Sequence, residues 1–111
     1  MASKQSTVDY IVEQMGGAGE VYAKKMFGDY GVFCQEKMVA IIGDNELYVK
    51  PTAGGREMLR ECVERSPYPG AKPCFFISGE QWEDGEWLSR LIKITAGELP
   101  LPKEKKNKAK K

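Results

Sequence analysis

The stretch from Val21 to Lys50, VYAKKMFGDYGVFCQEKMVAIIGDNELYVK, constrains the fold more than any other. Apolar and aromatic runs there are interrupted at Gly28-Asp29, Gln35-Glu36 and Gly43-Asp44-Asn45, where an antiparallel meander needs its turns. The spacing predicts strands over 20–27, 30–34, 38–42 and 46–50. Alternation puts Val21, Ala23 and Lys25 on one face of the first strand, with Tyr22, Lys24 and Met26 on the other. In the last strand Leu47 and Val49 oppose Tyr48 and Lys50. Val39-Ala40-Ile41-Ile42 is apolar on both faces, which predicts a central strand covered on each side or lying at a dimer seam.

Helical patterns flank the meander. Val8, Ile11, Val12 and Met15 recur at helical spacing, behind a Ser6-Thr7-Val8-Asp9 segment that reads as a capping box. Gly16-Gly17 is expected to end that helix and to serve only as a linker. After Pro51, Thr52 should cap a helix reaching Arg65. Its buried stripe would be Met58, Leu59, Cys62 and Val63, with Glu61 and Arg65 paired on the wet side. Ser66-Pro67-Tyr68-Pro69-Gly70 signals a loop, and Cys74-Phe75-Phe76-Ile77 a short strand. A last helix, capped by Asp84 and ended by Gly97 and Pro100, buries Trp87, Leu88, Leu91, Ile92 and Thr95. Trp82, just before that helix, is not assigned to core or surface. The order α, three or four strands, α, one or two strands, α describes an α+β two-layer sandwich of an antiparallel sheet with helices.

A chain of 111 residues, 41% apolar, has room for one domain, expected over 1–102. Six of its 17 basic residues but one of its 16 acidic residues fall in the last nine. The body is therefore net acidic, and residues 103–111 read as a disordered lysine-rich tail. No apolar run is long enough to span a bilayer, and the N-terminus lacks a signal-peptide pattern, so a cytoplasmic protein without membrane contact is expected. Cys34, Cys62 and Cys74 stand at unrelated spacings without a C-x-x-C and read as buried free thiols.

The absence of histidine excludes Ser-His-Asp and Cys-His machinery and argues against structural zinc. Neither G-x-x-x-x-G-K-[ST] nor G-x-G-x-x-G occurs. Glu83-Asp84-Glu86 and Asp44-Glu46 sit at a helix start and a hairpin tip, where carboxylates cap or stay solvated. No catalytic residue, metal or cofactor is expected, and the chain reads as a non-enzyme.

Lysines and aromatics remain. Tyr22, Lys24, Lys25, Tyr48 and Lys50 could share a sheet face of the kind that stacks on single-stranded nucleic acid. The ordinary alternative is a half-buried sheet whose lysine stems cover apolar surface. The tail lysines likewise offer non-specific phosphate affinity or mere solubility. A small ligand under Tyr68-Pro69-Gly70 is a third option.

The segments Lys25-Met26-Phe27-Gly28-Asp29-Tyr30-Gly31-Val32-Phe33, Lys37-Met38 and Leu47-Tyr48-Val49-Lys50-Pro51 resemble the N-terminal domain of the TfoX/Sxy family. The likeness extends to Val12-Glu13-Gln14-Met15, Tyr68-Pro69-Gly70-Ala71-Lys72 and Glu98-Leu99-Pro100-Leu101-Pro102. It implies a two-layer α+β domain of a type that often dimerises, and a tie to transcriptional co-regulation of bacterial competence. It carries no catalytic residues. Met26, Phe27, Gly28 and Gly31 are then mainly structural, and Lys24, Lys25, Tyr30, Tyr48, Lys50, Tyr68 and Lys72 form the candidate interaction surface. The expected function is a cytoplasmic protein-interaction module, with a protein partner or a second copy of itself. The alternative is direct nucleic-acid binding.

Overall fold

The computed structural model describes residues 3–26, 29–59, 63–68 and 70–99. Phe27, Gly28, Glu61, Cys62, Pro69 and the tail from Pro100 onward, all read above, lie outside the described residues. The elements are α1 (Gln5–Gln14), β1 (Val21–Met26), β2 (Asp29–Cys34), β3 (Lys37–Gly43), β4 (Glu46–Val49), α2 (Ala53–Leu59), β5 (Glu64–Arg65), β6 (Cys74–Ile77), α3 (Gly79–Trp82) and α4 (Gly85–Glu98). The strands form one antiparallel sheet in the order β1-β2-β3-β4-β6-β5, so the fold is α+β as the pattern predicts.

The meander follows the alternation. Val32, Ala40, Ile42, Leu47, Val49, Phe75 and Ile77 join Val8 and Ile11 of α1 and Leu88, Leu91 and Ile92 of α4 in one core. β3 carries an irregularity, since Val32 faces Ala40 while Phe33 faces Met38. Val39 is the extra residue, which lets Val39 and Ala40 both enter the core beneath the helices. The doubly apolar run thus has a local cause. Only Ile41 turns to the opposite face, where Tyr48, Cys74, Met38, Tyr68 and Phe76 surround it.

Both tight hairpins use left-handed residues other than glycine, Gln35-Glu36 and Asp44-Asn45, all with φ between 54° and 66°. Such paired positive φ values match the right-handed twist of the flanking strands. The second hairpin also anchors the N-terminus. Ser3 N–H donates to Asp29 Oδ1, Lys4 N–H to Asn45 Oδ1, and Asp44 N–H to Asp29 Oδ2.

Several expectations need correction. The cap of α1 is Lys4, with no side-chain hydrogen bond, and Asp9 instead accepts from Gln5 Nε2. The true capping box is Ser78 with Gln81, which starts the unpredicted α3. Gly16–Ala18 form a 3₁₀ turn, not a slack linker, and the positive φ of this region falls at Gly19. Ser89, buried on α4, holds that turn by accepting from Gly17 N–H and donating to the Gln14 carbonyl.

Helix α2 spans Ala53–Leu59 and Val63 lies off the predicted stripe, while Cys62 and the Glu61–Arg65 pairing fall outside the described residues. Val63 is 54% exposed, and its carbonyl accepts the Phe76 N–H. Strand β6 needs an edge partner for that donor, and this outweighs local helical spacing. Thr52 does cap α2, its Oγ1 accepting from Gly55 N–H. At the other end α4 runs through Gly97 to Glu98, whose Oε2 accepts from Gly54 N–H and ties α4 to α2. Trp82 packs against the core and meets Tyr10 edge-on at 5.8 Å between ring centroids.

Candidate interaction surface

Since α1, α2 and α4 pack their buried residues with one side of the sheet, alternate strand residues point to a second side that none of them covers. That open face is rich in rings and thioethers. Tyr22 and Phe33, cross-strand partners on β1 and β2, stack at 5.4 Å with planes 9° apart, and Lys24 Nζ lies 5.8 Å from the Phe33 centroid. Gly31 lies beside them. A Cβ at that position would collide with the sulfurs of Met26 and Met38, so its missing side chain is what lets two thioethers fill the middle of the face.

Further along, Ile41 and Tyr48 are nearly closed off at 4% and 6% exposure. Tyr48 Oη donates to Glu46 Oε1 at 2.9 Å, and burial, followed by that bond, raises the phenol above its ordinary value. Glu46 also pairs with Arg65 at 3.4 Å, whose guanidinium stands 4.3 Å from the Phe76 ring centroid. Burial raises the Cys74 thiol, with the Lys50 charge pulling the other way, and burial likewise raises Cys34 against Lys37.

The structure divides the predicted surface. Lys24, Tyr48 and Lys50 belong to the open face by alternation, and Tyr68 packs on its Ile41–Tyr48–Cys74 patch. Lys72 is exposed in the following loop, its carbonyl accepting from Cys74 Sγ. Lys25 does not join them. It pairs with Tyr30 on the helix side of β1, beside Ala23 and Val21. Tyr30 is also on that side, packed against the core with its hydroxyl donating to Gln5 Oε1, and is structural. Phe33, Met38, Phe76 and Arg65 were missed. Phe33 was legible from its alternation with Val32 and Cys34, whereas a two-residue strand gives Arg65 no pattern to read.

Lys24, Lys50 and Arg65 rim the open face with Glu46 among them, while α1 and α4 carry both signs, Asp9, Glu13 and Glu86 together with Arg90 and Lys93. A polar groove of about 540 Å³ between the end of α1 and α4 is lined by Glu13, Gln14, Glu86, Ser89, Arg90 and Lys93. Ser89 is already committed there to the 3₁₀ turn. Among the described residues no group of three His, Cys, Asp or Glu is placed to hold a metal ion, and no helix is long and apolar enough to cross a membrane.

Comparison with known proteins agrees with this architecture. Residues 13–98 match the family model of the TfoX N-terminal domain. The chain is also 36% identical over 110 residues to an uncharacterized 12.7 kDa protein in the trpE 5′ region of Spirochaeta aurantia, covering 99% of this chain and 95% of that protein. The match over residues 13–98, most of the chain, places the protein in the TfoX N-terminal domain family.

Proposed function

We propose that the protein is a non-enzymatic regulatory module, active in the cytoplasm, that binds a protein partner through the open face of its sheet. The observation that carries this reading is the patch formed by Tyr22, Phe33, Met26 and Met38. Apolar, partly exposed and left clear by the packed helices, it combines adaptable thioethers with rigid rings. The family is linked in general to competence regulation. That link supports a regulatory role in transcription for this chain.

A second reading, single-stranded nucleic acid on the same face, is favoured by one specific observation. Lys24 and Arg65 stand 5.8 Å and 4.3 Å from the centroids of the Phe33 and Phe76 rings of that face, the mixture of cation and ring that neutralises phosphates and stacks on bases.

One pair of exposed substitutions serves both readings. Tyr22→Glu with Lys24→Glu should keep a cooperative melting curve, lowered by no more than the lost Phe33 contacts, and, placed in the chromosome, reproduce the transcript changes of a gene deletion. A transcript profile identical to wild type would remove the open face from the function. Anisotropy of a labelled single strand separates the partners. Salt-sensitive binding that survives removal of residues 103–111 but disappears in the double variant selects nucleic acid, and no binding by the folded body selects a protein.

A further inference from the structure

The sheet has two edges, and they differ in what they can do. Strand β5 is two residues long, both charged and exposed, which is a common way to blunt an edge. Strand β1 presents six residues, Val21–Met26, hydrogen-bonded to β2 on one side only. On the other side its backbone donors and acceptors meet no described residue. Helix α1 runs beside this edge in the opposite direction. Tyr30, the cross-strand partner of Lys25, reaches Gln5, while Met15 to Gly19 lead into Val21, so Glu13 flanks the Val21 end. Between helix and strand lies a groove of about 480 Å³ whose walls include Asp9, Val12, Glu13, Val21 and Ala23.

We propose that β1 pairs antiparallel with β1 of a second copy of the chain, the two-fold axis passing at Ala23. The sequence of β1 selects both occupant and register. Opposed residues in an antiparallel pair share a face, so a two-fold axis that preserves the inside and outside of both sheets must pass through a residue, not between two. An axis at Lys24 or Lys25 would set like charges against each other, and one at Tyr22 would leave half of the strand, Lys24 to Met26, unpaired within it. With the axis at Ala23, Val21 faces Lys25 and Tyr22 faces Lys24.

On the helix side, Lys25 of the second copy then lies at the Val21 end, beside Glu13. Within one chain neither Glu13 nor Lys25 forms an ion pair with a described residue. On the open face, Lys24 of the second copy meets the Tyr22 ring, which is 43% exposed in the single chain. The two-fold repeats each contact. The two sheets become continuous, and their Tyr22–Phe33 patches meet at the centre of one doubled face.

The opposing reading of the same residues is that Lys24 and Lys25 guard the edge and keep the chain monomeric. Sedimentation velocity of the full chain over a concentration series decides between them, with Glu13→Lys, Lys25→Glu, the double reversal, and an Ala23→Cys variant oxidised and digested for mass spectrometry. The positions reversed are exposed, and circular dichroism checks that each variant folds. The expected result is a dimer weakened about tenfold by either single reversal, restored by the double reversal, and cross-linked through position 23. A monomer at every concentration, a dimer indifferent to the charge reversals, or the absence of the cross-link would each overturn the pairing. Because Tyr22 and Lys24 also meet across the proposed pair, Glu13→Lys separates the two readings: transcripts unchanged by Glu13→Lys, which weakens the pairing from the helix side, but altered by Tyr22→Glu with Lys24→Glu assign the function to the open face and not to association.

Discussion

Ser89 shows how much one buried hydroxyl can organise. Its oxygen lies 3.0 Å from both the Gly17 nitrogen that donates to it and the Gln14 carbonyl to which it donates. These are the backbone groups that α1 leaves unmet where it gives way to the 3₁₀ turn. Ser89→Ala would remove both partners at the wall of the groove between α1 and α4. A loss of about 2 kcal/mol in unfolding free energy is expected, read from urea denaturation. A change below about 0.5 kcal/mol would mean that water replaces the hydroxyl. The same end of α1 is clasped again by Gln14 Nε2, which donates to the carbonyls of Trp82 and Glu83. Reading the sequence finds none of this, because a serine on a helix face gives no sign of which turn will come to meet it.

At the scale of elements, the hairpins separate what sequence discloses from what it conceals. The breaks at Gln35-Glu36 and Asp44-Asn45 were legible as turns, and the strand alternation correctly parted Lys24 from Lys25. Collecting both lysines into one surface ignored that alternation, and the structure returns them to opposite sides. Strand β5 was hidden for a different reason. Glu64 and Arg65 fit a helical wheel, and only the unpaired edge of β6, far off in sequence, recruits them as a strand. Gln35 sits at φ 56°, a conformation that asparagine tolerates better than glutamine. Gln35→Asn should therefore stabilise the protein by about 0.5–1 kcal/mol, visible as a higher denaturation midpoint at unchanged slope. A lower midpoint would show that the Gln35 side chain contributes more than its backbone strain costs.

For the whole molecule, three buried groups among the described residues tie stability to alkaline pH. Burial raises the Cys34 and Cys74 thiols above their ordinary 9.0 and the Tyr48 phenol above its ordinary 10.0. Each group holds its proton more tightly folded than unfolded. Its contribution is complete below the unfolded value and is lost as pH rises through the folded one. The urea midpoint should therefore hold up to about pH 9 and fall as pH rises beyond it, past about pH 10, and a flat profile there would show that the three groups ionise without opening the fold.

The order in which the layers are joined carries a different implication. The meander occupies the first half of the chain, but Leu88, Leu91 and Ile92, which close its core, belong to the last helix. During synthesis the sheet can pair its strands well before α4 has emerged, leaving Val32, Ala40, Ile42 and Leu47 without their cover. The nascent chain therefore spends the second half of its translation with α1 alone over a sheet that is still half-covered and sticky. A chaperone or a pause at the ribosome would matter most for this protein in that interval, and hardly at all once Glu98 is free to reach Gly54.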